Sequence, residues 1–238
     1  MCRLASEESP WDDYRRSGWP AMERQPIMDL GIENTLTSAV EAWARFTQWL
    51  SEYAPVHADA LNPPATEEQI KQAESRMGVS LPSELRQILM INNGTTARNR
   101  ILSGNSCYDA RGGGDYSPFP SYNVFNDVEL TCSLYTGNRT ASVSMQEPGS
   151  RYEYWKQGWI PAFTTKEGHS GLFLDFSVGA DPAPVYAYGE DSFPDLAFSS
   201  LAEYLSAVSD ALEGIRPFTV MGRGAPHLPS VRDGLLAW

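Results

Sequence analysis

The stretch from Thr66 to Gly94 reads TEEQIKQAESRMGVSLPSELRQILMINNG and predicts two helices joined by a tight turn. Thr66 followed by Gln69 is a capping box, in which each side chain bonds the backbone N–H of the other residue. Gly78 supplies the left-handed residue that ends the first helix. Apolar residues recur at helical spacing on both sides of the turn: Ile70, Ala73, Met77, Leu85, Ile88 and Leu89. The stretch is predicted to be a packing unit without catalytic residues.

The residues before this hairpin divide into a tail and a helix. Met1 to Asp29 is polar and contains three prolines, which predicts a disordered tail without a signal-peptide pattern. Glu33 to Tyr53 is predicted to be an amphipathic helix ended by Pro55, with one apolar side formed by Leu36, Ala39, Val40, Trp43, Phe46 and Leu50. The expected organisation is a tail over residues 1–29 and one domain over residues 30–238.

The residues after the hairpin are predicted to be rich in strands. Val124 to Leu134 carries apolar residues at most even positions, which favours a strand or a strand with a bulge. Gly137-Asn138 and Pro148-Gly149 are typical of turns. Cys107 to Tyr122 contains three consecutive glycines and is predicted to be a mobile loop. Further strands are predicted at Trp159–Phe163, with Pro161 at an edge or bulge, at Leu172–Phe176 and at Val185–Tyr188.

The last predicted helix begins with a second capping box, formed by Ser200 and Glu203, and ends at Gly214. Its inner face carries Leu201, Tyr204, Leu205, Val208 and Leu212. Phe218–Met221 and Leu235–Trp238 are candidates for edge strands. Helices first, a sheet in the middle and a helix after it predict an α+β fold.

The charge of the chain limits its partners. Thirty acidic residues against eighteen lysines and arginines give a net charge of −12, which argues against binding nucleic acid through its phosphates. The same charge suits a basic protein partner, or serves solubility alone. No apolar run is long enough to span a membrane. Three scattered cysteines do not form a disulfide framework, which fits a reducing cytoplasm.

Candidate catalytic and metal-binding residues are few. Cys132, His169 and Asp175 have the residue types of a nucleophilic triad, but Cys132 falls on an apolar phase typical of the core. Asp175 and the adjacent Glu190 and Asp191 would be the carboxylates of a hydrolase; Asp175, at a strand end, is expected instead to accept backbone N–H groups of a turn. His57, His169 and His227 lie far apart in sequence and are expected in surface loops. No catalytic, cofactor-binding or metal-binding residue is therefore predicted.

Five segments in order resemble the SUKH superfamily, which includes the fungal cell-wall assembly regulator and many bacterial toxin-immunity proteins. They are the helical pair, a W-x-x-G-W-I-P step, a glycine turn before a strand ending in L-D, a serine-capped helix and a D-G-x-L-x-W tail: Thr66–Gly94, Trp155–Pro161, Gly168–Asp175, Ser200–Leu205 and Asp233–Trp238. The resemblance implies a single domain with a central, mostly antiparallel sheet flanked by N-terminal helices and a C-terminal helix.

The resemblance also implies a function. It implies a non-enzymatic, cytoplasmic immunity protein that binds a polymorphic toxin encoded nearby and neutralises it by occlusion, and a basic nuclease would suit the charge. A regulatory scaffold, as in the fungal branch, is the alternative, and a hydrolase with an unrecognised site is the third. Charge and loop position, rather than a family motif, select the predicted partner-binding residues: Tyr152, Glu153, Tyr154, Asp181, Glu190 and Asp191.

Overall fold

A computed structural model of the chain describes residues 37–95, 117–145, 153–165, 168–177, 179–189, 192–220 and 223–238. All of these residues fall within one compact unit. The predicted tail, most of the predicted glycine-rich loop, the Pro148-Gly149 turn and the partner-binding candidates Tyr152, Glu190 and Asp191 lie outside the described residues.

Six α-helices form within the described ranges. They are α1 Ala39–Tyr53, α2 Pro55–Ala58, α3 Glu67–Met77, α4 Ser83–Leu89, α5 Val128–Met145 and α6 Leu201–Leu212. A short 3₁₀ helix, Pro120–Tyr122, precedes the first strand.

The strands form one antiparallel sheet and two separate hairpins. The sheet has the order β1-β2-β3-β4-β5, with β1 Val124–Phe125, β2 Trp159–Thr164, β3 Gly171–Asp175, β4 Val185–Gly189 and β5 Ser192–Phe198. The expected α+β class with a central antiparallel sheet is confirmed. The two C-terminal segments predicted as edge strands do not join this sheet, because they pair locally in the hairpins β6 Phe218–Val220 with β7 Arg223–His227, and β8 Ser230–Arg232 with β9 Leu235–Ala237.

The predicted helical hairpin is confirmed as α3 and α4. The Gln69 N–H donates to Thr66 Oγ1 at 3.2 Å, and the Thr66 N–H donates to Gln69 Oε1 at 2.8 Å, so the capping box is complete. Gly78 ends α3 with a φ of 71°. Both apolar stripes are buried against the rest of the protein: Ile70, Ala73, Met77, Leu85, Ile88 and Leu89.

Helix α1 begins at Ala39 rather than at the predicted Glu33. Ser38 caps it, since Ser38 Oγ accepts the Glu41 N–H and the Glu41 carboxylate accepts the Ser38 N–H at 2.8 Å. The apolar side was correctly predicted within the described range, where Trp43, Phe46 and Leu50 are buried. The sequence does contain the signal for this boundary, because Ser38 and Glu41 have the spacing of a capping box.

Helix α6 is capped from two sides. Ser200 Oγ accepts the Glu203 N–H at 3.0 Å as predicted, whereas the Glu203 carboxylate accepts the N–H of Ser199 instead of that of Ser200. Glu84 of the helical hairpin accepts the Leu201 N–H at 2.9 Å. The predicted inner face is buried throughout: Leu201, Tyr204, Leu205, Val208 and Leu212.

The strand predicted from Val124 to Leu134 is wrong beyond Phe125. Asp127 instead caps α5, which begins at Val128, because Asp127 Oδ1 accepts the Leu130 N–H at 2.7 Å. The residues that α5 buries recur at helical spacing and include polar ones: Val128, Thr131, Cys132, Tyr135 and Ser142. The predicted turn at Gly137-Asn138 is also wrong, since both residues lie inside α5. The alternation of apolar residues is therefore accidental, since the buried side of the helix includes a threonine and a serine.

The sequence pattern did not predict β5, because this strand lies at the edge of the sheet and has the composition of an edge strand. Pro194 and Asp195 interrupt its pattern, and a proline is tolerated where one side of a strand is unpaired. The predicted irregularity at Pro161 is confirmed as a shift of register between Pro161 and Phe163. The mobile loop predicted from Cys107 to Tyr122 is wrong at Phe119, because this side chain is fully buried in the core.

The turn after α4, from Asn92 to Gly94, joins three parts of the fold. The Trp43 indole N–H donates to Asn92 Oδ1, and the Val128 N–H donates to Asn93 Oδ1, both at 2.9 Å. A Cβ on Gly94 would lie 2.2 Å from the backbone nitrogen of Asp127. The turn therefore holds the hairpin against α1 and the start of α5, where the Gly94 and Asp127 backbones pack too closely for a side chain at position 94.

Leu85→Ala is expected to lower the free energy of unfolding by about 2–5 kcal/mol, because it removes a fully buried side chain from the core. Urea denaturation measures the change. Met90→Ala at the end of the same hairpin is the control, since Met90 is exposed and is expected to change stability by less than about 0.5 kcal/mol. Equal effects would contradict the register of α4.

Gly94→Ala is expected to destabilise the protein more than Gly78→Ala, although the two glycines have φ values of 69° and 71°. At Gly78 a Cβ meets nothing within 4 Å, so only the left-handed backbone is strained, at about 1–2 kcal/mol. At Gly94 the Asp127 backbone must also move, which adds about 1–3 kcal/mol. Thermal or urea unfolding of both variants compares them, and equal losses would exclude the close approach.

Candidate protein-binding surface

The sheet has two different faces because side chains alternate along each strand. On β3, Leu172 and Leu174 belong to the main core, whereas Phe173 belongs to a second cluster. On β4, Val185 belongs to the main core and Tyr186 to the second cluster. The sheet therefore separates an inner core from an outer layer of aromatic residues.

Phe173 is at the centre of this outer layer. Its ring stacks on Trp159 at a centroid distance of 4.5 Å and on Tyr186 at 5.5 Å with an interplanar angle of 6°. Trp155 lies 5.2 Å from both Phe173 and Tyr188. We call this surface the aromatic face; its members are Tyr154, Trp155, Trp159, Phe173, Tyr186, Tyr188 and Leu196.

Helix α5 holds the segment that carries Tyr154 and Trp155. The Arg139 guanidinium donates to the Trp155 carbonyl oxygen at 2.5 Å, and Ser142 Oγ accepts the Trp155 N–H at 3.0 Å. The Tyr135 hydroxyl donates to the Gln157 carbonyl oxygen at 2.8 Å. Trp155 also donates its indole N–H to the carbonyl oxygen of Trp159. These bonds fix the backbone that directly follows Tyr154.

Part of the aromatic face is open to solvent. Tyr154 is 43% exposed and Leu196 is 47% exposed, while Tyr186 and Tyr188 are half-buried. Leu196 pairs with Tyr186 across β4 and β5, and residues directly opposite in an antiparallel pair point to the same side. Exposed tyrosine and leucine around a packed aromatic layer are typical of a surface that binds another protein.

Tyr188 links the exposed and buried parts of the face. Burial raises the pKa of its phenol above the ordinary value, and the neighbouring Tyr154 phenol raises it further. The hydroxyl is therefore protonated at neutral pH and donates to the Gly168 carbonyl oxygen at 3.2 Å. The arrangement offers uncharged, rigid aromatic contacts rather than a reactive group.

A comparison with protein families identifies the chain. The SMI1 / KNR4 family (SUKH-1) matches residues 64–207, more than half of the sequence. The chain belongs to the SMI1/KNR4 family. The matched residues run from the helical hairpin through the sheet into α6, which confirms the SUKH resemblance seen in the sequence. No curated protein matches the chain.

The aromatic face of this SUKH-1 protein contains one of the predicted partner-binding residues, Tyr154. Glu153 lies next to it, exposed, with its carboxylate 3.8 Å from the Arg139 guanidinium. Asp181 is exposed in the connection between β3 and β4, where it accepts a hydrogen bond from Ser83 Oγ at 2.6 Å.

The two acidic loops named from the sequence attach to opposite ends of the sheet. Asp175, which precedes the loop with Asp181, pairs with Trp159 at one end. Gly189 and Ser192, which flank Glu190-Asp191, pair with each other at the other end. The described strands therefore do not bring Asp181 together with the residues that flank Glu190-Asp191.

Sequence reasoning missed Tyr186 and Leu196 as surface residues. The V-Y-A-Y alternation of β4 indicates that its two tyrosines share one side of the strand, but not which side is open. Leu196 lies beside Tyr186 only because β4 pairs with β5, and Pro194 made β5 hard to recognise as a strand.

Two of the catalytic candidates, Cys132 and Asp175, make structural hydrogen bonds. Cys132 is buried in α5, its thiol donates to the Ala73 carbonyl oxygen, and burial raises its pKa, which disfavours the nucleophilic thiolate. Asp175 accepts the Ser177 N–H at 2.9 Å, as expected of a carboxylate at a turn. His169 is exposed, whereas the surface position expected for His57 is wrong, because α2 buries it.

Two further observations concern the described ranges alone. Among these residues, no group of three histidine, cysteine, aspartate or glutamate side chains is placed to hold a metal ion. None of the helices in the described ranges is both long and apolar enough to cross a membrane.

Arg139→Ala is expected to lower the free energy of unfolding by about 1–3 kcal/mol, because it removes a charged donor from the buried Trp155 segment. Tryptophan fluorescence and urea denaturation measure the change. The control is Arg76→Ala, which removes only an exposed pair with Glu129 and is expected to cost about 0–1 kcal/mol. A smaller loss for Arg139 than for Arg76 would show that α5 does not hold the segment.

Proposed function

We propose that this SUKH-1 protein is a non-enzymatic immunity protein, which binds a cognate toxin in the cytoplasm and neutralises it by covering its active surface. The observation that carries the proposal is the partly exposed aromatic face. Helix α5 fixes part of its backbone, and the rings of Trp159 and Tyr186 stack on Phe173, so these residues lose little side-chain freedom when a partner binds.

The composition of the face supports protein recognition. Tyrosine and tryptophan are enriched at the centres of interfaces, where a few residues provide most of the binding energy. Tyr154 and Leu196 are the exposed anchors, and half-buried Tyr186 and Tyr188 lie between β3 and the β5 edge. A stable complex buries about 1,600 Å² in total, which requires surrounding polar surface in addition to the face.

Family membership and charge support the choice of partner. Membership in the SMI1/KNR4 family supports, in general, either toxin immunity or a Smi1/Knr4-type role. A net charge of −12 favours a basic partner, since opposite charges increase the rate of encounter. A basic nuclease toxin encoded beside this protein meets both conditions.

The second candidate is a regulatory scaffold, which the name of the matched family favours. A scaffold would use the same face to recruit a signalling protein. The two functions differ in partner and outcome: immunity requires that binding abolishes the activity of a toxin encoded by a neighbouring gene.

The test of immunity is co-expression with the product of the neighbouring gene, followed by measurement of binding and of toxin activity. Tyr154→Ser and Leu196→Ser are each expected to weaken binding about tenfold or more, because each removes an anchor of the interface. Met90→Ser and Ile215→Ser are the matched controls, because both residues are exposed and apolar but lie outside the aromatic face. The controls are expected to change binding less than twofold.

Three outcomes would contradict the proposal. Absence of a complex with any neighbouring gene product excludes immunity and favours the scaffold. Equal weakening by all four variants excludes the aromatic face as the binding surface. Loss of toxin activity at far less than one immunity protein per toxin would indicate turnover, and would replace occlusion with an enzymatic mechanism.

The contribution of charge is tested separately. Reversal of Glu190 and Asp191 to lysine is expected to slow association more than it speeds dissociation, because long-range charge attraction acts mainly on encounter. The defect should shrink as salt rises, since the Debye length falls from about 10 Å at 0.1 M to about 3 Å at 1 M. An association rate that ignores salt would keep the partner and remove the acidic loop as a cause.

A further inference from the structure

The aromatic face has a tryptophan side and a tyrosine side, which meet at Phe173. The Phe173 ring lies 4.5 Å from Trp159 on β2, and 5.5 Å and 5.9 Å from Tyr186 and Tyr188 on β4. Burial raises the pKa of Tyr188 and the Tyr154 phenol raises it further, so these two phenols are neighbours. We call Tyr154, Tyr186 and Tyr188 the tyrosine side.

The tryptophan side already contacts a cation of its own chain. The Lys156 ammonium lies over the Trp159 ring, 5.1 Å from the ring centroid. This distance is within the limit of about 6 Å at which the electron-rich face of an aromatic ring attracts a positive charge. The outer layer of the sheet therefore accommodates a cation on one of its rings.

The tyrosine side receives no cation from its own strands. The stretch from Glu167 to Ile215, which includes β3, β4, β5 and α6, contains no lysine or arginine and nine aspartates and glutamates. The Arg139 guanidinium, which reaches the adjoining segment, is already engaged by the Trp155 carbonyl oxygen and the Glu153 carboxylate. Aromatic surface in a stretch with an excess of negative charge is complementary to a cationic side chain.

Arginine suits the tyrosine side better than lysine. Its planar guanidinium stacks on aromatic rings and is more weakly hydrated than an ammonium, so less hydration is lost on contact. Its apolar stem can cover neighbouring apolar surface while the charged group stays at the rim. Exposed Leu196, which pairs with Tyr186, provides such surface.

We propose that the partner of this protein binds the aromatic face through an arginine side chain, whose guanidinium stacks on the tyrosine side. Tyr154 is the main contact, because its ring is 43% exposed. The inference rests on the proposed function, since it names the chemistry that the same face recognises in its partner. A basic toxin supplies such a residue on its surface.

The probe is a capped pentapeptide with arginine at its centre, a leucine on each side and a glycine at each end. Its titration into the full chain is expected to shift the ring resonances of Tyr154 and Tyr188 and the methyl resonances of Leu196 in a saturable manner, with a Kd of about 1 mM. The same peptide with citrulline, a neutral analogue of arginine, is expected to bind about fivefold more weakly.

Salt separates contact from long-range attraction. At 1 M salt the Debye length is about 3 Å, so the general attraction of an acidic protein for a cation is screened. A guanidinium in contact with a ring is screened much less, and the preference for arginine over citrulline should remain about twofold or more. A preference that disappears at 1 M salt would overturn the proposal, because it would reflect net charge alone.

Variants separate the ring from apolar surface in general. Tyr154→Leu is expected to weaken binding of the arginine peptide about two- to fivefold, because it keeps an apolar side chain and removes the ring. Tyr154→Phe keeps the ring and should stay within twofold of the wild-type affinity. Tyr53→Leu is the matched control, because Tyr53 is 50% exposed and stacks beside Trp49 on α1, outside the aromatic face.

The proposal is overturned if the Tyr154, Tyr188 and Leu196 resonances do not respond, or if Tyr154→Leu binds the arginine peptide as well as the wild-type chain. An equal loss in Tyr53→Leu would also overturn it, since the peptide would then bind any exposed tyrosine. The experiment uses no toxin, so its failure is distinct from failure of immunity. A toxin that binds the face of a chain without arginine preference would keep the proposed function and remove only arginine recognition.

Discussion

The fold depends on the packing of Phe119 against aromatic rings from three different elements. Its ring lies 4.7 Å from Phe46 of α1, 4.8 Å from Phe163 of β2 and 6.3 Å from Tyr204 of α6. These partners are far apart in sequence, so one buried side chain brings the first helix, the sheet and the last helix together. At the surface, Arg45 of α1 also links the first helix to the last, because its guanidinium bonds Asp210 at 2.8 Å and Glu213 at 2.7 Å.

The position of this core on one side of the sheet determines what the other side can be. Leu172 and Leu174 pack in the main core on the inner face. Because side chains alternate along a strand, Phe173 between them points to the outer face, where other residues must cover it. Trp155 covers it from a segment that α5 holds, rather than from a helix lying across the strands. A short cover leaves the tyrosines toward the β5 edge partly exposed, and this incomplete cover creates the aromatic face.

The parts of the fold that the sequence predicted correctly are those with local chemical signatures. Thr66 with Gln69 and the glycine at position 78 specify the hairpin through bonds within a few residues. Helix α5 was missed because its buried side includes Thr131 and Ser142, which no apolar pattern marks. Strand β5 was missed because its pairing, not its composition, makes it a strand. Tyr154 was predicted as a surface aromatic, whereas Leu196 needed the register of β4 and β5.

The separation of two hydrophobic clusters by a sheet has a consequence for how such a protein changes over generations. Tyr154 and Leu196 are exposed and belong to neither hydrophobic cluster, so the effects of substitutions there on stability should add to those of core changes rather than amplify them. A lineage can therefore alter the exposed tyrosines and leucine while the inner core stays as it is. Under the proposed function, recognition of a new partner and maintenance of the fold would be under nearly separate selection, so specificity could diverge on a constant scaffold.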